Sequence, residues 1–210
     1  MKTVSATVRR RVHAARPGVF LRTADFPGSR SAVETQLSRL VAAGEGLVRV
    51  RRGLYWKGVR SRFGPGRPGV DAIVRAVASD RGVGPSGWTA SHALGLSTQV
   101  PATPAYAVVG APPTGLPGVK FHSRRNLRRL RLRYHEVALL EVLRDWPESA
   151  EADWATLVRR MARDLGAGLL RADRLRSVVA GERMPALRDR FTRLMADLSA
   201  PAIAPSTREG

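Results

Sequence analysis

The residues in this chain best suited to chemistry are arginines, and the chemistry they suit is recognition of phosphate. Two short segments concentrate them. RSAVETQLSRLVA at 30–42 sets Arg30 and Arg39 among small hydroxyls, and LVRVRRGLYWKG at 47–58 carries Arg49, Arg51 and Arg52. A guanidinium is planar, always charged, and presents paired N–H donors that match two phosphate oxygens or the O6/N7 edge of guanine. The chain holds 36 Lys and Arg against 17 Asp and Glu, a formal net charge of +19. A GC-rich genome accounts for Arg in place of Lys but not for a twofold excess over acids. Such an excess predicts attraction to polyanions that weakens with salt. It is also uneven: residues 1–69 carry 15 Lys/Arg and three acids (Asp25, Glu34, Glu45), a net of +12. Residues 118–133 add seven basic residues and no acid, whereas 134–165 hold seven acids against four Arg. Opposite signs on successive segments point to separate surfaces for separate partners.

Other chemistries lack their residues. Cys is absent, which excludes disulfides and thiolate metal ligands. His13, His92, His122 and His135 do not pair at metal-ligand spacing. Ser86 and Ser91 lie near His92, but SGWTASHALGL has no G-x-S-x-G elbow; a histidine in a short helix is expected to pack or hydrogen-bond. GPGRPG contains neither GK[ST] nor G-x-G-x-x-G. None of Lys2, Lys57 and Lys120 completes the E-x-K pattern of many metal-dependent nucleases. Trp56, Trp88, Trp146 and Trp154 read as core aromatics. The expectation is a protein without catalytic residues, metal or cofactor. No apolar run reaches the roughly eighteen residues of a membrane span, and Arg9, Arg10 and Arg11 interrupt the segment where a signal peptide would be apolar. The chain therefore reads as cytoplasmic.

The arginines need elements to position them. Val4, Val8 and Val12 predict a helix over Thr3–Ala15, ended by Arg16-Pro17-Gly18. Val19–Arg22 is extended, and Thr23 caps a brief helix, TADF, stopped by Pro27-Gly28. Ser29 or Ser31 caps a longer helix through Ala43. Its inward face is Val33, Leu37, Leu40 and Val41. Its outward face is Ser31, Thr35, Ser38, Arg39 and Ala42, with Arg30 at the amino end. Two alternating runs, Leu47–Val50 and Leu54–Lys57, form a hairpin turning at Arg51-Arg52-Gly53. Strict alternation puts Arg49 and Arg51 on one side and Val48 and Val50 on the other. Helix, short helix, longer helix, basic hairpin is the plan of a winged helix-turn-helix, whose longer helix presents a slim polar face to the major groove. The expected DNA contacts are Arg30, Ser31, Thr35, Ser38, Arg39, Arg49, Arg51 and Arg52.

RFGPGRPG at 62–69 reads as a linker. This gives a DNA-binding domain at 1–61, a second domain at 70–199 and a flexible tail at 200–210. Within the second domain Val70–Ser79 reads as helical, and Thr89–Leu94 as a short helix capped by Thr89. Pro104–Val109, Val119–Ser123 and Leu127–Arg133 read as strands. Tyr134–Trp146, Asp153–Leu165, Arg171–Ala180 and Pro185–Leu198 read as helices. Arg124, Arg125, Arg128, Arg129, Arg131 and Arg133 form a second basic patch, facing either DNA or a protein partner. The fold class is α+β: an N-terminal winged helix-turn-helix, then a mixed α/β domain ending in a helical bundle.

GVFLRTADFPGSRSAVETQLSRLVAAGEGLVRVRRGLYWKG resembles the N-terminal winged helix of AbiEi-type antitoxins from type IV toxin–antitoxin systems. GWTASHALGLSTQVPATPAYAVVG, VKFHSRRN and YHEVALLEVLRDWP are similar to that family's second domain, so the resemblance spans about residues 15–150. It implies a transcriptional autorepressor that binds inverted repeats in its own promoter. It also implies neutralisation of a nucleotidyltransferase (AbiEii-like) toxin. Carried over, the DNA contacts fall on Ser31, Thr35, Arg39, Arg49, Arg51 and Arg52. A monomer in solution or a dimer on DNA fits paired half-sites. The alternative is a winged-helix regulator without a toxin, its second domain used for ligand sensing or dimerisation.

Overall fold

In the computed structural model, which describes residues 3–79 and 81–200, the first helix, α1 (Val4–Ala14), starts where the Thr3 hydroxyl accepts from the Ala6 amide at 3.3 Å. β1 (Val19–Arg22) follows. The short helix is a single 3-10 turn, Thr23–Asp25, and Thr23 lies inside it rather than capping it. The Asp25 carboxylate caps the turn instead, accepting from the Arg22 amide at 2.6 Å. α2 (Arg30–Ala42) is capped by Ser29, and Gly44 follows it at φ +67°, the left-handed geometry that ends a helix without a Cβ penalty. β2 (Leu47–Arg51) and β3 (Leu54–Lys57) form the hairpin, and β1 pairs antiparallel with β3 to give the sheet order β1-β3-β2. Val8, Val12, Phe26, Val33, Leu37, Leu40, Leu47 and Tyr55 make the core. Gln36 is also buried, accepting from the Ser5 hydroxyl at 2.8 Å.

The hairpin departs from strict alternation. Arg49 pairs with Tyr55 and Arg51 pairs with Leu54, so the register shifts by one residue between them. Cross-strand partners share a face, and Tyr55 and Leu54 are neighbours on opposite faces. The bulge therefore sends Arg49 and Arg51 to opposite sides of the hairpin, correcting the expectation that they share one.

The segment that reads as a linker is structured in part. β4 (Arg60–Ser61) and β5 (Gly64–Pro65) pair antiparallel, and the Trp56 indole donates to the Gly66 carbonyl at 3.1 Å. A Cβ on Gly58 would sit 2.2 Å from that same oxygen. α3 (Val70–Ala78) buries Val74, and the Arg22 guanidinium donates to the Ala76 carbonyl. The chain accordingly divides into units 1–77 and 78–210, a boundary past the Gly/Pro-rich stretch rather than within it.

The second unit opens with β6 (Gly84–Pro85) antiparallel to β7 (Ala105–Val109), which runs parallel to β8 (Lys120–Arg124). Between β6 and β7 lies α4 (Trp88–Ala93). Its N-cap is Gly87 at φ +54°; Thr89 is no cap, its hydroxyl accepting from the Ala105 amide at 2.9 Å. Leu127–Arg131 is a 3-10 turn capped by Asn126, not the strand that its Leu/Arg alternation suggests. α5 (Tyr134–Arg144) is buried along nearly its whole length. α6 (Trp154–Gly166), α7 (Ala172–Val179) and α8 (Pro185–Ser199) pack a Leu-rich core with it, including Leu157, Met161, Leu175, Leu187, Phe191 and Leu194. The architecture is α+β. No described helix is long and apolar enough to cross a membrane. The tail expected at 200–210 lies, from residue 201 onward, outside the described residues.

Three of the glutamates described in this unit, Glu136, Glu141 and Glu182, are almost wholly buried. Glu141 accepts two hydrogen bonds from Arg124, one at 2.9 Å, and one from Arg129 at 2.5 Å. Glu182 accepts from Arg129 at 2.6 Å, and Glu136 from Arg171 at 2.6 Å. Burial pushes each carboxyl up, but the guanidinium bonds outweigh it and hold all three below the ordinary range. Breaking such a pair by removing one charge leaves the other buried and unmet. Glu141→Gln should therefore lower stability by about 3–5 kcal/mol in chemical denaturation. Because the folded pKa values are lowered, the unfolded chain binds protons first as pH falls. The stabilisation should be full above about pH 4.3 and lost as pH drops through the lowered values, read as acid unfolding by circular dichroism. In the first unit, Leu37→Ala should cost about 2–5 kcal/mol, whereas Thr35→Ala, one turn face away, should stay within about 0.5 kcal/mol. Equal losses would show the faces of α2 misassigned.

Candidate nucleic-acid interface

The outward residues of α2 are where the sequence puts them. Ser31, Thr35, Ser38, Arg39 and Ala42 are all exposed, because the 3.6-residue period that turns Val33, Leu37 and Leu40 inward turns these away. They share one shallow concavity with Arg49 and Tyr55 of the hairpin. Tyr55 buries its body in the core while lining this surface. Glu34, absent from the sequence-derived site, lines it too. Arg30 donates to the Glu34 carboxylate at 3.0 Å. That bond, with added attraction from Arg52 and Arg49, holds the carboxyl below the ordinary range. Glu34 stands four residues after Arg30, a spacing at which opposite charges on a helix meet, so the pair was readable. The surface thus contains one carboxylate among hydroxyls that both donate and accept, with the guanidiniums of Arg39 and Arg49 leaving positive charge in excess.

The bulge gives the other two hairpin arginines a different setting. Arg51 and Arg52 line a cleft of about 530 Å³ with Arg22, Thr23, Phe26 and Arg30. Inside it the Thr23 hydroxyl is buried without a hydrogen-bond partner among the described residues. Arg30 lies on the wall of this cleft and pairs with Glu34 of the neighbouring concavity. Two cationic hollows therefore flank one ion pair at the amino end of α2.

The second basic patch does not hold together as a surface. Arg129 has 0% exposure and is an internal counter-ion, and Arg124 is committed to Glu141. Arg125, Arg128, Arg131 and Arg133 are exposed, with Arg128 and Arg133 donating to the Ser177 and Gly168 carbonyls. The reason is compositional: a segment with seven cations and no acid sits beside a helix with two buried carboxylates.

The histidine and serine that meet are not those adjacent in sequence. His92 is exposed on α4, while the Ser86 hydroxyl lies 3.5 Å from the His122 Nδ1. Ser86 is wholly buried, so substrate has no access to it. Burial and the nearby Arg124 push the His122 pKa down. Among the described residues no group of three or more His, Asp and Glu is placed to hold a metal.

Fold and surface together define an α+β protein of two units whose first unit presents an arginine-lined helix-and-hairpin face. The chain belongs to a family of unknown function, DUF6088, whose pattern matches residues 7–122, from α1 into β8. No curated protein matches it significantly in sequence. In structure it is similar to the RV2827C protein from Mycobacterium tuberculosis, with a TM-score of 0.47 and 19% identity over 96% of this chain and 79% of that one.

Proposed function

We propose that the first unit is a winged helix-turn-helix that binds double-stranded DNA, and that the chain is an AbiEi-type antitoxin. It represses its own promoter at inverted repeats and neutralises a nucleotidyltransferase toxin. The observation that carries the DNA reading is the concavity shared by α2 and Arg49. A helix face of small hydroxyls and alanine approaches a groove closely, and the major groove, about 12 Å wide, admits a helix. Arg39 reaches a guanine edge or a phosphate from that face. Glu34 offers an acceptor to the exocyclic amine of cytosine. Arg51 and Arg52, on the far side of the bulge, meet the sugar–phosphate backbone in the adjacent cleft with Arg22 and Arg30. Contacts to backbone position the protein and contacts to base edges specify the site. The antitoxin reading rests on the sequence likeness of the segments between residues 15 and 150. The second unit, with its own core, is the part assigned to the toxin.

The test is a gel shift with the chain's own promoter fragment. Arg39→Ala with Arg49→Ala should weaken binding at least tenfold, since each lost contact costs about 1–3 kcal/mol. The slope of log affinity against log salt should flatten by about one for each phosphate contact removed. Arg174→Ala, exposed on α7, should change neither. Unchanged affinity in the double variant would overturn the assignment of the DNA surface. For the second role, co-expression with a neighbouring nucleotidyltransferase gene should restore growth that the toxin alone arrests. Failure to restore it would leave a regulator without antitoxin activity.

A further inference from the structure

The second unit carries a cleft of about 520 Å³ between the segment after β8, the end of α5 and the turn joining α7 to α8. Arg124, Arg125, Arg128, Arg144 and Arg183 line it, and Glu182 is its one acid. The close bonds behind it are unevenly shared. Glu141 and Glu182 take the ion pairs of Arg124, Arg129 and Arg144, and the Asp145 carboxyl feels Glu141, Arg124 and Arg144 without pairing with any of them. Arg124 and Arg129 take the close bonds, and Asn126 takes a further place on Glu182 at 2.8 Å. Arg144 is left with long contacts: Glu182 at 3.5 Å, the Met184 sulfur at 3.7 Å and Glu141 at 3.9 Å.

Arg144 is recessed, its side chain 25% exposed, and its Nε is buried with no hydrogen-bond partner among the described residues. A buried donor left unmet is costly, and a charged one more so. Burial above all, and then the neighbouring Arg124, push its pKa down against the opposing pull of Glu141 and Glu182. An oxyanion entering the cleft would accept from Arg144 at its floor and from the exposed Arg125 and Arg183 at its rim. Guanidinium forks match phosphate oxygens in pairs, and a phosphate brings more charge and more acceptors than a carboxylate. The depth of Arg144 favours a small ligand over an extended surface.

We infer that this cleft binds a small phosphorylated anion, with Arg144 as the recessed anchor and Arg125 and Arg183 closing over it. The site shares no residue with the DNA surface and stands whether or not that reading does. Free inorganic polyphosphate and a nucleotide present the same chemistry, so both serve as probes.

Isothermal titration calorimetry and thermal melts of the full chain with pyrophosphate and with ATP, against sulfate at matched ionic strength, test it. Saturable binding of pyrophosphate should appear above the sulfate control and raise Tm, since a ligand that binds only the folded chain stabilises it. Tighter binding of ATP would identify a nucleotide, and equal binding the phosphates alone. Arg125→Ala with Arg183→Ala, both exposed, should weaken binding at least tenfold without shifting the ligand-free Tm. Arg144→Gln should abolish it. Arg9→Ala with Arg10→Ala, on α1, should leave it intact. Absence of binding above sulfate, or an equal loss in the α1 variant, would overturn the inference as unspecific attraction to a basic chain.

Discussion

Glu141 lies on a helix packed on nearly every side, and a carboxylate survives there only because guanidinium groups from two other elements reach it. Arg124 arrives from the end of the parallel strand and Arg129 from the 3-10 turn. Glu182, just past α7, holds the other side of Arg129. Sheet, turn and helices must be in place together before any of these ions is compensated. An apolar cluster would tolerate some slippage between elements. A buried ion does not, because the solvation it gives up is restored only by partners within hydrogen-bond distance. The excess of arginine over acid thus has two destinations: some guanidinium groups build the interior of the second unit, and the remainder stay at the surface.

That division explains what was legible in the sequence. Periodicity finds α1, α2, the hairpin, α6 and α8 nearly to the residue, because the apolar stripe of each follows from burial against the core of its own unit. The inward and outward faces of α2 followed from the same rule. Leu127–Arg133 was misread because alternation of Leu and Arg looks like a half-buried strand when every Arg is taken as solvated. Arg129 is as buried as Leu132 while Leu127 and Leu130 are exposed, the reverse of what the alternation suggests, and the distant Glu141 and Glu182 make that possible. The role of Thr89 was missed for a similar reason: its hydroxyl serves the amide of Ala105, sixteen residues away. Local patterns report local partners.

In the candidate site the unreadable feature was the bulge. Nothing in LVRVRRGL signals an extra residue, since the alternation of Val and Arg is unbroken through it. One unpaired position nonetheless divides three arginines between two hollows, Arg49 with the face of α2 and Arg51 and Arg52 with Arg22 and Thr23. A flat, regular hairpin would have lined up Arg49 and Arg51 on a single side. Splitting them gives each hollow its own hairpin arginines.

The close approach of Gly58 to Gly66 has a consequence for how this protein can be cut and recombined. The glycines touch backbone to backbone, and Trp56 is tethered to the same carbonyl. The stretch that looks like a free tether is therefore a strap whose length between those two glycines is fixed. An excision at residue 61 would leave the third strand's tryptophan without its acceptor, whereas a cut beyond Ala78 keeps the strap and its helix whole.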